Sequence, residues 1–214
     1  MRIAPEGVPF AAGAFAILAA LAGWAWATDG NWWMAAAWMP IALWVLAFFR
    51  NPTRTGPRQQ RLVIAPADGK VVSVEETDEP EYLGGKATRI SVFMNVFNVH
   101  VNRHPIAGTV EYRDYRPGKF VNATLDKASE LNERMSLGVR GEHGPIMIRQ
   151  IAGLIARRIV TDHAPGDVVQ QGERLGLIRF GSRVDTFVPL SVRVQVRPGD
   201  RAVAGKTILA EWPQ

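Results

Sequence analysis

Two uncharged stretches open the chain and set it apart from the remainder. Val8 to Ala27 is a 20-residue run without a charge, and Trp32 to Phe49 is an 18-residue run without one. Thr28-Asp29-Gly30-Asn31 between them has the composition of a tight turn. A bilayer core needs about 20 apolar helical residues. The first run meets that length, the second is marginal, and Pro40 predicts a kink within it. The pattern therefore predicts a hydrophobic membrane hairpin over residues 1–50. From about Leu62 the period falls to two. Residues 61–65, 70–74, 88–93 and 191–196 are β-branched and largely alternating, with Gly and Pro turns between them. An amphipathic helix is expected near 123–135. The expected fold for 51–214 is mainly β, an antiparallel sandwich or barrel-like domain with a few helices.

A faint repeat refines that picture. Pro165-Gly166-Asp167 is followed by Gly172 and Leu175, and Pro198-Gly199-Asp200 by Gly205 and Ile208 at the same offsets. The pattern reads as turn, short strand, turn, as in the hammerhead units of biotinyl and lipoyl carrier domains. No carrier lysine sits in a matching turn, so the repeat speaks for fold only.

Charge and composition then narrow the function. Six of the seven Trp fall in the first 50 residues, and Trp24, Trp26, Trp32 and Trp33 flank the turn, as rings at a membrane–water boundary do. A cleaved signal peptide would have one short apolar core and a small-residue cleavage site; a buried soluble hairpin is the other competing reading. Arg2 precedes the hairpin, Arg50, Arg54, Arg58 and Arg61 follow it, and the turn carries only Asp29, which places both ends in the cytoplasm, at the inner membrane. The net charge of +5 suits an anionic partner. The chain has no Cys, which excludes thiolate chemistry and disulfides, and its four His lack a metal-binding spacing, so no metal is expected.

Three stretches carry candidate chemistry: Ala65 to Lys70, Phe93 to Pro105, and Gly176 to Asp185. Singly, each has a plain reading. Asp68-Gly69 makes a good hairpin turn, His100 fits a hydrogen-bonded core position, and Gly181-Ser182 is a common turn dipeptide. Together they resemble the phosphatidylserine decarboxylase family in its short bacterial form. The likeness runs through Phe48-Phe49-Arg50-Asn51-Pro52, Pro66-Ala67-Asp68-Gly69, Asn98-Val-His-Val-Asn-Arg103, Pro117-Gly-Lys-Phe120 and Asp126-Lys-Ala-Ser-Glu130 with Asn132-Glu-Arg134. It ends at Gly172-Glu-Arg-Leu-Gly176 and Phe180-Gly-Ser-Arg-Val-Asp185, the most specific motif. Arg183 is the short-form residue after the serine.

The resemblance implies a pyruvoyl-dependent carboxy-lyase made as a zymogen. A decarboxylation needs an electron sink that ordinary side chains lack. The family's answer implies autocatalytic cleavage between Gly181 and Ser182, leaving a pyruvoyl group at position 182 that forms a Schiff base with the amine of phosphatidylserine and yields phosphatidylethanolamine and carbon dioxide. Ser182 as nucleophile needs a base and an orienter, for which the resemblance offers His100 and Asp68. His104 lies four residues from His100, and Arg103 stands where long-form members carry their second histidine. Lys119, Arg134 and His104 are candidates for binding the substrate. The implied partners are a phospholipid membrane, the lipid substrate, and the two chains 1–181 and 182–214 held together, with no nucleic acid and a possible homo-oligomer. Two rival functions stay open: decarboxylation of another seryl lipid, such as an ether lipid, and a non-enzymatic membrane-anchored hammerhead module.

Overall fold

The structure, a computed structural model, describes residues 2–118, 132–153, 158–179 and 181–213. It divides into two compact units, 1–53 and 54–214.

In the first unit, β1 (Arg2–Ile3) pairs antiparallel with β2 (Arg50–Asn51), closing the ends of a helical hairpin. Its helices are α1 (Val8–Ala27) and α2 (Trp33–Phe48). Small residues let them approach: Ala14, Ala25, Ala35 and Ala42 are buried, while Phe15, Ile17, Trp24, Trp26, Trp33, Ile41 and Leu43 are exposed. The indole Nε1 of Trp38 donates to the Ala14 carbonyl at 2.9 Å. This is the reverse of a soluble hairpin, whose large apolar side chains face inward. The helical stretch Pro5–Ala27 is long and apolar enough to cross a bilayer. At 16 residues α2 rises roughly 24 Å, short of the hydrocarbon core, and it runs through Pro40 as one helix.

The second unit begins with β3 (Leu62–Ile64), β4 (Gly69–Glu79), β5 (Gly85–Met94), β6 (Val101–Arg103) and β7 (Gly108–Arg116). It continues through β8 (Arg134–Gly141), β9 (Gly144–Ala152), β10 (Ile159–Thr161), β11 (Val168–Val169) and β12 (Arg174–Ile178). It closes with β13 (Ser182–Pro189), β14 (Arg193–Val194), β15 (Arg201–Ala202) and β16 (Ile208–Glu211). A curled, half-barrel antiparallel sheet has the order β11-β7-β8-β9-β13-β5-β4-β15. Two three-stranded sheets, β10-β12-β6 and β14-β16-β3, accompany it. The core lies on one face of the large sheet, where alternate residues such as Val71, Ile90, Val92, Leu137, Ile148, Val184 and Val188 interdigitate.

The expected mainly β, antiparallel architecture behind a helical hairpin is the observed one. The repeat is real in structure. Gly166 and Gly199 take left-handed φ values of 98° and 103°, and Asp167 and Asp200 accept from backbone amides three residues upstream. The next strands after these turns, β11 and β15, cap opposite edges of the large sheet. Two expectations need correction. The strand over 191–196 shrinks to β14, because it finds only β16 as a partner. The helix near 123–135 cannot include its last two residues, since Arg134 and Met135 open β8; residues 123–131 lie outside those described.

Candidate active site

β13 is a central strand, paired with β5 on one side and β9 on the other. Its first residue, Ser182, stands opposite Met94 and Ala152 and is fully buried on the core face it shares with Val184 and Val188. Ser182 Oγ lies 3.6 Å from Met94 Sδ, a weak acceptor for a hydroxyl. Gly181 just before it is left-handed, φ 65°, and nothing lies within 4 Å of where a Cβ would stand. That conformation is costly for an L-residue and open to glycine. The opposite face of the strand carries a buried ion pair, Arg183 Nε to Asp185 Oδ1 at 2.9 Å, with the two side chains 1% and 0% exposed.

His100 immediately precedes β6 and is also fully buried. Its Nδ1 is 3.0 Å from the Asn98 carbonyl. A carbonyl only accepts, so Nδ1 carries the proton and a neutral ring has its lone pair on Nε2. The His100 carbonyl receives the amide of Ile178, four residues ahead of Ser182 in sequence. Four residues span at most about 14 Å, so β12 brings the His100 strand to the corner where Ser182 sits. Asn102, on β6, reaches the same corner. Its Nδ2 is 3.6 Å from Met94 Sδ, the sulfur that Ser182 also touches. Behind it runs a buried polar chain. Gln150 Nε2 donates to Asn102 Oδ1 at 2.8 Å, and Thr161 Oγ1 donates to Gln150 Oε1 at 3.0 Å.

Asp68 is placed differently from the expected triad. Its Oδ2 pairs with Arg54 at 2.6 Å and its Oδ1 accepts the Ala204 amide at 2.8 Å. It makes no hydrogen bond to His100 in this conformation; the Asn98 carbonyl orients that ring instead. His104 is buried and stacks edge-on with His163, Nε2 to Nδ1 at 3.1 Å, and His163 in turn lies 3.5 Å from Glu173. Burial first, and then the neighbouring imidazole, push His104 down to about 3. Arg134 is nearly buried, 4.0 Å from Glu81, beside Arg116 and Arg149, which pair with the same carboxylate. Burial and those two guanidiniums lower its affinity for the proton. Lys119 lies outside the described residues.

Comparison with known proteins decides the family. The sequence profile of phosphatidylserine decarboxylase matches residues 41–210. A phosphatidylserine decarboxylase proenzyme of Symbiobacterium thermophilum is 48% identical over 213 residues, 99% of this chain and 96% of its own. Proenzymes of the same name from Nitrosomonas europaea and Cupriavidus pinatubonensis are 49% and 51% identical, each covering 98% of this chain and 95% and 94% of their own. The chain belongs to the phosphatidylserine decarboxylase family.

Within this decarboxylase-family fold, one cleft is lined by residues of two of the three motifs singled out in sequence. It holds about 430 Å³ and is lined by Gly69, Lys70, Phe93, Asn95, Asn98, Gly199 and Arg201. Gly69 follows Asp68, Asn98 supports His100, and Phe93 precedes Met94. Gly69 is there because a Cβ would fall 2.0 Å from the Phe93 carbonyl oxygen. Sequence reading missed Asn102, Gln150 and Thr161, as well as the Asn98 carbonyl. Only Asn98 and Asn102 stood inside a recognisable motif, and nothing in it assigned them partners.

Proposed function

We propose that this chain is a phosphatidylserine decarboxylase that cuts itself between Gly181 and Ser182 and works from a pyruvoyl group made of Ser182. The observation that carries the proposal is the junction itself: a left-handed, unobstructed Gly181 next to a buried serine hydroxyl, in a chain of this family. The residues fit the group, because among the described residues the partner of Ser182 Oγ is a weakly accepting thioether and Gly181 carries no side chain to block attack.

In processing, Ser182 Oγ attacks the Gly181 carbonyl carbon and its proton passes to His100 Nε2, the nitrogen that carries the lone pair when Nδ1 donates to the Asn98 carbonyl. The C–N bond breaks and the amine takes a proton, which gives an ester. Loss of the Ser182 α-proton expels the carboxylate of Gly181, and hydrolysis of the remaining enamine releases ammonia. Asp68 supplies the supporting carboxylate, and it reaches His100 by exchanging partners with Arg54. A pyruvoyl group at this position would supply the electron sink for the pair that carbon dioxide leaves behind. His100 then returns a proton to the substrate carbon.

Both products of the cut stay together, since β13 keeps its ladders with β5 and β9. The hairpin fixes the enzyme to the membrane that contains its substrate, with the catalytic unit on the cytoplasmic side. Processing is tested by the Ser182→Ala chain, which should remain intact and inactive. An active Ser182→Ala protein would sink the proposal.

A further inference from the structure

The cleft beside the processing junction holds two cations that the proposed chemistry has not used. Lys70 and Arg201 face each other as Cα partners across the β4–β15 pair. Like charges placed directly opposite on adjacent strands repel. Elsewhere on the same sheet arginines are matched with carboxylates: Arg89 with Glu75, Arg140 with Glu111, Arg116 with Asp114. Lys70 and Arg201 make no ion pair or hydrogen bond among the described residues, and no described carboxylate lines the cleft. The carboxylates next to its lining residues in sequence are engaged elsewhere: Asp68 pairs with Arg54, and Asp200 accepts from the Arg197 amide.

The floor of the cleft is unobstructed. Gly69 and Gly199 contribute backbone without side chains. Its rim is apolar. Asn95 and Asn98 cross-bond, side chain to backbone amide at 2.9 Å and amide to carbonyl at 3.0 Å, and so hold a tight turn. That turn presents Phe97, which is 71% exposed. An anion-binding pocket with a projecting aromatic at its lip matches a molecule that is charged at one end and greasy at the other. A volume of about 430 Å³ suits a headgroup, with the acyl chains left outside.

We infer that this cleft is the headgroup site, in which Lys70 and Arg201 bind the phosphodiester of a phospholipid while Phe97 lies against its acyl chains. The assignment rests on the decarboxylase reading and gives its substrate a place. It also offers phosphate recognition a place apart from Arg134, which shares one carboxylate, Glu81, with Arg116 and Arg149. The cleft meets the central strand through Phe93, whose register partner on β13 is Arg183, the residue after Ser182.

Two measurements separate the cleft from the chemistry. The first is calorimetric titration of glycerophosphoserine into the full-length, uncut Ser182→Ala chain, which needs no turnover. The Lys70→Ala/Arg201→Ala double substitution should weaken binding by about tenfold or more, and Lys86→Ala, a cation on the far end of β5, should not. Inorganic phosphate should fail to compete at equal concentration; equal competition would make this a general anion site and overturn the lipid assignment. The second is kinetics on processed enzyme. The double variant should self-cleave normally and raise KM about tenfold for soluble dihexanoyl phosphatidylserine, with kcat nearly unchanged. Phe97→Ser should raise KM for long-chain lipid in vesicles but not for the dihexanoyl form. Unaltered binding and KM in the double variant would overturn the inference even in a fully active decarboxylase. Wild-type binding without any decarboxylation would instead remove the activity and leave the site.

Discussion

Four side chains matter most at the scale of single residues, and each can be questioned alone. His100→Ala should leave the chain largely uncut, because an unactivated serine attacks slowly. Asp68→Asn should also slow cutting, whereas Arg54→Ala, which frees that carboxylate, should not; SDS gels of chain processed over time distinguish them. Slowing by Arg54→Ala as severe as by Asp68→Asn would mean that the pair only braces the turn. His104 gives a prediction in pH. Its folded value is about 3 against an ordinary 6.5, so the unfolded chain takes up a proton that the folded chain refuses. Stability from this group is therefore complete above pH 6.5 and drains away as pH falls from there toward 3. His104→Phe should flatten the decline of the urea midpoint between about pH 7 and 4, measured on the uncut Ser182→Ala chain. A slope identical to that of the parent would contradict the buried neutral histidine. The same substitution in the native chain should still allow cutting and turnover.

At the scale of elements, β13 is the central strand of the sheet and, in the proposed processing, begins at the bond that is cut. Gly181→Ala forces an L-residue into φ 65°, at a cost of about 1–2 kcal/mol, so processing should slow while the sheet remains. The other face of the strand is tested by Arg183→Ala, which strands Asp185 in a buried site and should cost about 3–5 kcal/mol in denaturant unfolding of the Ser182→Ala chain. Adding Asp185→Leu should recover much of that loss, since two apolar residues leave no uncompensated charge. Much of this element structure was legible beforehand. Alternation and turn residues marked β3, β4 and β5. What escaped was set by register between distant strands. Asn102, Gln150 and Thr161 form one chain because β6, β9 and β10 come together, and no local pattern records that. Arg134 was legible only as a candidate for binding the substrate, and the pairing of β8 with β9 that sets it beside Arg149 and Glu81 was not. The orienter of His100 was invisible for a different reason: it is a backbone carbonyl, which every residue has.

At the scale of the whole molecule, the proposal gives attachment to the hairpin and chemistry to the β unit. Deleting residues 1–49 should release the remainder from membranes, because the exposed apolar faces of α1 and α2 supply the burial that holds it there. Quantitative sedimentation of the truncated protein with membranes would show that another surface is the anchor. Cleavage ahead of β13 leaves a small chain bearing β13, β14, β15 and β16, each paired to the large chain or to one another. The two should therefore copurify and separate only on denaturation. Self-cleavage itself is read most directly from the mass of the purified, denatured protein. Two species are expected, residues 1–181 and a piece covering positions 182–214 whose first residue is blocked and ketone-bearing instead of serine. A fully active enzyme that gives a single unbroken 23.6 kDa chain would contradict the pyruvoyl mechanism.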